Sequence, residues 1–192
     1  YNMHYMSNII LTLIITFTKL ISFLPRTLFT TNSLIWKILG NLMKKRRSIV
    51  EANINHCFKN QSKEWRSDLI EKIWEETHLA LYENNFAWNA NKRIQKINVS
   101  FENSDLLQSA QENKQGVLLL FRHNIFLELS ARLISEKFEI YGMERPNNSP
   151  LVQKLQQRGR LKGMKALIPS SNVKDCIELL KKGKTILYGP DQ

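Results

Sequence analysis

His123 is followed five positions later by Glu128, in the run Arg122-His123-Asn124-Ile125-Phe126-Leu127-Glu128. The run leaves the apolar stretch Gly116-Val-Leu-Leu-Leu-Phe121 and enters a segment of helical pattern. A histidine there is partly exposed beside a helix N-terminus, which favours its neutral, basic ring. A carboxylate one helical turn on can fix the ring's tautomer and leave the other nitrogen as a general base. No Ser or Cys lies in the motif, so the chemistry this pair could do is deprotonation of a hydroxyl. The same spacing also suits a structural histidine, and the strand-to-helix context is what favours chemistry.

The elements that must position this pair alternate. Gly116–Phe121 reads as a buried strand, 125–135 as a helix, 138–143 as a strand and 151–157 as a helix. A short strand at 166–168, a helix at 173–180 and a strand at 185–188 follow. Alternation with short loops predicts an α/β fold around a mixed, largely parallel sheet. Sites in such folds lie at the carboxyl ends of the strands, so the polar residues there, His123, Arg145 and Asp191, are candidates. Upstream, 44–88 is helical in pattern, broken at Asn60-Gln61-Ser62 and restarted by Ser62. Its aromatics, Trp74 and Phe86 among them, fall on an apolar stripe and read as core. Ile97, Val99 and Phe101 alternate with polar residues and predict a short strand.

Ile9 to Leu24 is strongly apolar, with Lys19 as its only charge. At about 1.5 Å per residue it comes close to the hydrocarbon core of about 30 Å. A second apolar stretch, 34–42, is interrupted by Lys37 and followed by Lys44-Lys45-Arg46-Arg47. We read 7–43 as a membrane anchor and interfacial helix, and 44–192 as the catalytic domain. The basic cluster would keep that domain on the cytoplasmic side and meet anionic headgroups. The chain ends on Asp191-Gln192 directly after a strand-like run, with no cap, and reads as incomplete at its C-terminus.

The 28 Lys and Arg against 17 Asp and Glu, a net charge of +11, favour anionic partners. The basic residues are dispersed and the aromatics are not interleaved with them, which excludes a stacking platform for nucleic acid. Cys57 and Cys176 have no metal-ligand spacing and read as idle thiols. No metal site is expected.

Taken in order, the segments resemble the lipid A biosynthesis (lauroyl/myristoyl, late) acyltransferase branch of the H-x-x-x-x-D/E glycerolipid acyltransferase superfamily. The resemblance rests on the apolar N-terminus, KKRRSIVEANINHCF (44–58), YENNFAW (82–88), GVLLLFRHNIFLELSARL (116–133), ERPNNSPLVQKLQQRGR (144–160) and GKTILYGPDQ (183–192). The family continues past this last segment with a further glycine- and arginine-bearing stretch. The resemblance implies His123 as base and Glu128 as its orienting partner. It implies Arg160 as an arginine needed for activity, meeting phosphate or developing negative charge. Asp191 corresponds to the family's acidic residue after the Gly-Pro turn, and Arg145 to a substrate-pocket position.

The implied reaction moves a fatty acyl chain from acyl carrier protein to a hydroxyl of a phosphorylated lipid A precursor at the bacterial inner membrane. Acyl carrier protein is then a co-substrate and no cofactor is needed. A glycerophospholipid or other glycolipid acceptor is the nearest alternative, and an inactive membrane-associated scaffold or anionic-lipid-binding protein the next.

Overall fold

A computed structural model describes residues 2–29, 40–41 and 43–190, with side chains from residue 9 onward. Asp191 and the second apolar stretch, apart from its residues 40–41, lie outside the described residues. The chain divides into two compact units, Phe23–Glu83 and Tyr1–Ser22 with Asn84–Gln192.

The first unit is helical. A 3-10 turn, Arg26–Phe29, is followed by α2 (Lys44–Cys57) and by most of α3 (Lys63–Asn89). The break expected at 60–62 is present, and the Ser62 hydroxyl accepts from Trp65 N at 3.1 Å, capping α3. Trp74 is buried at 4% exposure. His78 is 1% exposed and lies edge-on to Trp74, with ring centroids 4.9 Å apart. Burial, with a smaller contribution from the Arg47 charge, lowers the His78 pKa to about 3. This histidine is held neutral in the interior and has no place in the chemistry below.

The second unit carries the sheet. After α1 (Asn2–Ile21), its elements are a 3-10 turn (Asn91–Lys96), α4 (Ser104–Glu112), β1 (Val117–Leu120), α5 (Leu127–Lys137), β2 (Ile140–Glu144), α6 (Pro150–Arg160), β3 (Leu167–Pro169), α7 (Val173–Lys181) and β4 (Thr185–Tyr188). The strand order is β1-β4-β2-β3 and every pairing is parallel. β4, the latest strand, therefore fills the slot between β1 and β2, in register Leu118↔Ile186 and Tyr141↔Ile186. Apolar residues cover both faces, as a parallel sheet requires. Ala131, Phe138, Ile140, Met164 and Leu187 form one core. Ile168, Cys176 and Ile186 form the other. Ile140 and Ile186 are fully buried, each contributing roughly 1.5–3 kcal/mol.

One expectation is corrected. Residues 97–101 form no strand. Ile94 in the preceding turn is the residue sent inward, at 1% exposure, while Val99 is 37% exposed. As to the anchor, among the described residues no helix is long and apolar enough to cross a membrane. α1 begins with the polar-rich Asn2-Met-His-Tyr-Met-Ser-Asn8. Its apolar part, Ile9 to Ile21, is only about 20 Å long at about 1.5 Å per residue, against about 30 Å of hydrocarbon. α1 instead presents Ile9, Ile10, Leu13, Phe17 and Leu20 to the outside, at 46–64% exposure. Their spacing puts them along one side of the helix. The other side is tied down. Asn85 Nδ2 donates to Thr18 O at 2.9 Å, and Arg93 donates to Ser22 O at 2.6 Å and Ser22 Oγ at 2.7 Å.

Candidate active site

His123 follows the carboxyl end of β1, Glu128 stands in the first turn of α5 and Arg160 ends α6. Pairing of β1 with β4 runs one residue past the strands, with Phe121 N donating to Tyr188 O at 3.1 Å. The chain then turns. Asn124 Oδ1 accepts from Phe126 N at 2.8 Å, which closes the bend and delays α5 to Leu127. His123 lies in this bend, exposed, with its ring 5.5 Å from that of Phe121. Gly189, just past β4, is pressed against both. A Cβ on it would stand 2.9 Å from the Phe121 ring and 3.0 Å from His123 Cε1. Glycine is what lets the β4 turn come this close to the imidazole.

Glu128, in the first turn of α5, is 11% exposed. Its carboxylate is held by two residues from distant parts of the chain. Arg160 Nε donates at 3.1 and 3.2 Å to its two oxygens, and Arg160 Nη2 at 2.5 Å. Trp88 Nε1 donates to Glu128 Oε2 at 2.7 Å. The indole reaches this carboxylate because α6 carries Gly159 at the contact. A Cβ there would come within 2.3 Å of the Trp88 ring.

Arg160 is the last residue of α6, whose start is fixed by Pro150 at the first turn and by Ser149, which accepts from Val152 N. Its Nη1 donates to Glu144 Oε2 at 2.9 Å. Glu144 is the last residue of β2, and its side chain is 5% exposed. Burial opposes the charge on Arg160. Hydrogen bonds and Coulombic attraction from Glu128, then Glu144, outweigh it, and the pKa stands above the ordinary arginine value. Arg160 is thus spent on two protein carboxylates.

Next to this network, Lys162 donates to Trp88 O and Arg158 Nη1 donates to Asn89 Oδ1 at 3.3 Å, both at the C-terminus of α3. Burial, with the charges of Arg158, Arg132 and Lys19, lowers the Lys162 pKa to about 8. Arg145 is exposed in the loop after β2. Among the described residues no group of His, Cys, Asp or Glu is arranged to hold a metal ion.

Beside Glu128 and Arg160 is an apolar pocket lined by Phe121, Leu127, Ala131, Met143, Met164 and Leu187, among others. It is partly open to solvent. An ion network at one end and hydrocarbon at the other suit a ligand with a polar reacting group on an apolar chain.

Of the residues named from the sequence, the structure bonds Glu128 to Arg160, and it adds Trp88 and Glu144, which sequence reasoning missed. Trp88 looked like one more aromatic on an apolar stripe. Glu144 precedes Arg145-Pro146, and the arginine drew the attention that the strand-end acid merited. A carboxylate closing a buried parallel strand was the available signal.

The bacterial lipid A biosynthesis acyltransferase family model matches residues 2–192. The chain is 33% identical over 156 residues, 81% of its length, to the lipid A biosynthesis lauroyltransferase of Escherichia coli (strain K12), and covers 51% of that protein. It is 32% identical over 151 residues to the lipid A biosynthesis palmitoleoyltransferase of the same organism, 78% of this chain and 49% of that one. A lipid A biosynthesis acyltransferase of Haemophilus influenzae is 30% identical over 150 residues, 77% and 47% of the two chains. The chain spans about half the length of the curated relatives it matches. With a family match across its length, this chain belongs to the bacterial lipid A biosynthesis acyltransferase family.

Proposed function

We propose that this chain carries the site of an acyltransferase that moves a fatty acyl group from acyl carrier protein to a hydroxyl of a lipid A precursor. The observation that carries the reading is Glu128, locked by Arg160 and Trp88 and lining an apolar pocket, five residues after His123. Family membership supplies the reaction class.

In this reading His123 takes the proton of the acceptor hydroxyl as its oxygen attacks the thioester carbonyl carbon. A tetrahedral oxyanion forms, stabilised by backbone N–H groups or a cation. The carbon–sulfur bond then breaks, and the leaving thiolate takes the proton from the imidazolium. The ester carbon–oxygen bond remains on the acceptor. Glu128, held rigid, orients and electrostatically supports the imidazolium. Arg160 serves by fixing Glu128. The pocket receives the methylenes next to the thioester. Both substrates are anionic, which suits a chain of net charge +11.

For location, the exposed stripe of α1 reads as an in-plane contact with the inner membrane, its apolar side chains entering the headgroup boundary. In this reading the site works at the lipid surface.

The test is acyl transfer from acyl carrier protein to a tetra-acylated lipid A precursor, with membranes carrying the protein or its His123→Ala variant. General-base help is typically worth about 10²–10⁴-fold. Transfer by the parent that falls by that factor in the variant is the expected result. Transfer undiminished in the variant removes His123 from the mechanism. Transfer by neither redirects the reading to a glycerophospholipid acceptor.

A further inference from the structure

Glu144 is the most buried carboxylate touching the proposed site, and nothing in the reaction scheme uses it directly. Its surroundings are specific. Oε2 accepts from Arg160 Nη1 at 2.9 Å. Oε1 accepts from Gln153 Nε2 at 2.7 Å and from Gln157 Nε2 at 2.8 Å, two residues one turn apart on α6. Gln153 is itself anchored, its Oε1 accepting from Asn147 N at 2.6 Å in the loop that follows β2. Asn147 Oδ1 in turn accepts from Ser149 N at 2.9 Å.

These bonds form one continuous line: the Asn147 backbone, Gln153, Glu144, Arg160, Glu128 and the Trp88 indole. Its hydrogen bonds are 3.2 Å or shorter, and its two ionic links are largely desolvated. A guanidinium is planar and rigid, so two carboxylates on different edges of it fix its rotation as well as its position. Without Glu144, Nη1 has no acceptor, and Arg160 is free to turn about its contact with Glu128. The Glu128 carboxylate would then follow it.

We propose that Glu144 is a positioning residue: clasped by Gln153 and Gln157, it sets the rotation of Arg160 and thereby the orientation of the Glu128 carboxylate. It touches no substrate. The same line couples the Arg145-bearing loop to Glu128, so displacement of that loop by a bound acceptor is transmitted to the acid behind the base. This inference rests on the acyltransferase reading for its kinetic consequence, while the positioning itself does not.

The test uses Glu144→Leu, which removes the acceptor, and Glu144→Gln, which keeps an acceptor for Arg160 and can keep the Gln157 contact by an amide flip. The first readout is the ¹⁵N–¹H signal of the Trp88 indole, assigned by loss in Trp88→Phe. This proton points at Glu128 and reports its place without any substrate. Glu144→Leu should move or broaden the signal, and Glu144→Gln should leave it near the parental position. The second readout is transfer kinetics per folded protein. Glu144→Leu should lower kcat about tenfold or more with KM within about threefold, and Glu144→Gln should restore most of kcat. A residue needed only for folding would reduce yield and leave both kcat per folded protein and the indole signal unchanged. An indole signal unmoved in Glu144→Leu overturns the positioning role. If the parent shows no transfer, the acyltransferase reading fails, and the indole result still decides on Glu144.

Discussion

Replacing Arg160 by methionine keeps most of the side-chain volume and removes the charge that two buried carboxylates share. Glu128 and Glu144 are 11% and 5% exposed, and together they accept four hydrogen bonds from Arg160. Breaking a buried ion pair from one side leaves an uncompensated charge and typically costs about 3–5 kcal/mol. At roughly 2–4 °C per kcal/mol for a chain of this size, the melting temperature should fall by about 6–20 °C. The deficit should also depend on pH in a definite sense. A carboxylate left buried without a counter-charge favours its protonated form. The variant should therefore lose least at pH 5 and most at pH 8. Restoring neutrality with Glu128→Gln and Glu144→Gln in the same chain should return much of the loss, because the desolvated charges are gone. The assay is thermal and urea unfolding of parent, single and triple variants at pH 5 and 8. An Arg160→Met variant that melts within about 2 °C of the parent at pH 8, or one that loses more at pH 5, would refute the reasoning.

Three further outcomes are expected. Gly189→Ala places a methyl group against Phe121 and His123, so transfer should fall at least tenfold, a change of about 1.4 kcal/mol in the barrier, while melting shifts little; unchanged transfer would separate that turn from the base. Met164 is 8% exposed and lines the pocket, and Met164→Ala should shift preference toward longer acyl donors in a mixed-donor assay read by mass spectrometry, at a stability cost of about 2–5 kcal/mol. An unchanged product distribution would remove the pocket from chain selection. His78, with a folded pKa of about 3, takes its proton in the unfolded chain first, near pH 6.5. Stability is therefore fully present above pH 6.5 and is lost as pH falls toward 3, at up to about 1.4 kcal/mol per pH unit. His78→Phe should flatten that slope in acid unfolding curves; an unaltered slope would assign it elsewhere.

The alternation of the C-terminal half and its parallel sheet were legible because each is a local pattern. The 3.6- and 2-residue periods report burial directly. Arg160 became visible only through family resemblance, since one arginine on a polar helix face carries no local sign of its partners. Glu144 and Trp88 were not legible. Their roles depend on 16- and 40-residue separations closed in space, and their immediate neighbours gave other readings. The strand expected at 97–101 failed for a related reason: alternation describes a half-buried surface, and a strand also needs a neighbour to pair with. Asp191 lies outside the described residues.

The strand order has a consequence for biosynthesis. β1 and β2 are separated in the sheet by β4, the latest of the four strands to leave the ribosome. From Val117 to Thr185, at about 5–20 residues per second, translation takes roughly 3–14 s. Throughout that interval Leu119, Ile140 and the other core residues of the early strands have no central partner. The nascent chain must pass through a stage with an open, sticky slot the width of one strand. Trigger-type holdases that shield apolar segments should engage it there, and release should coincide with emergence of Ile186.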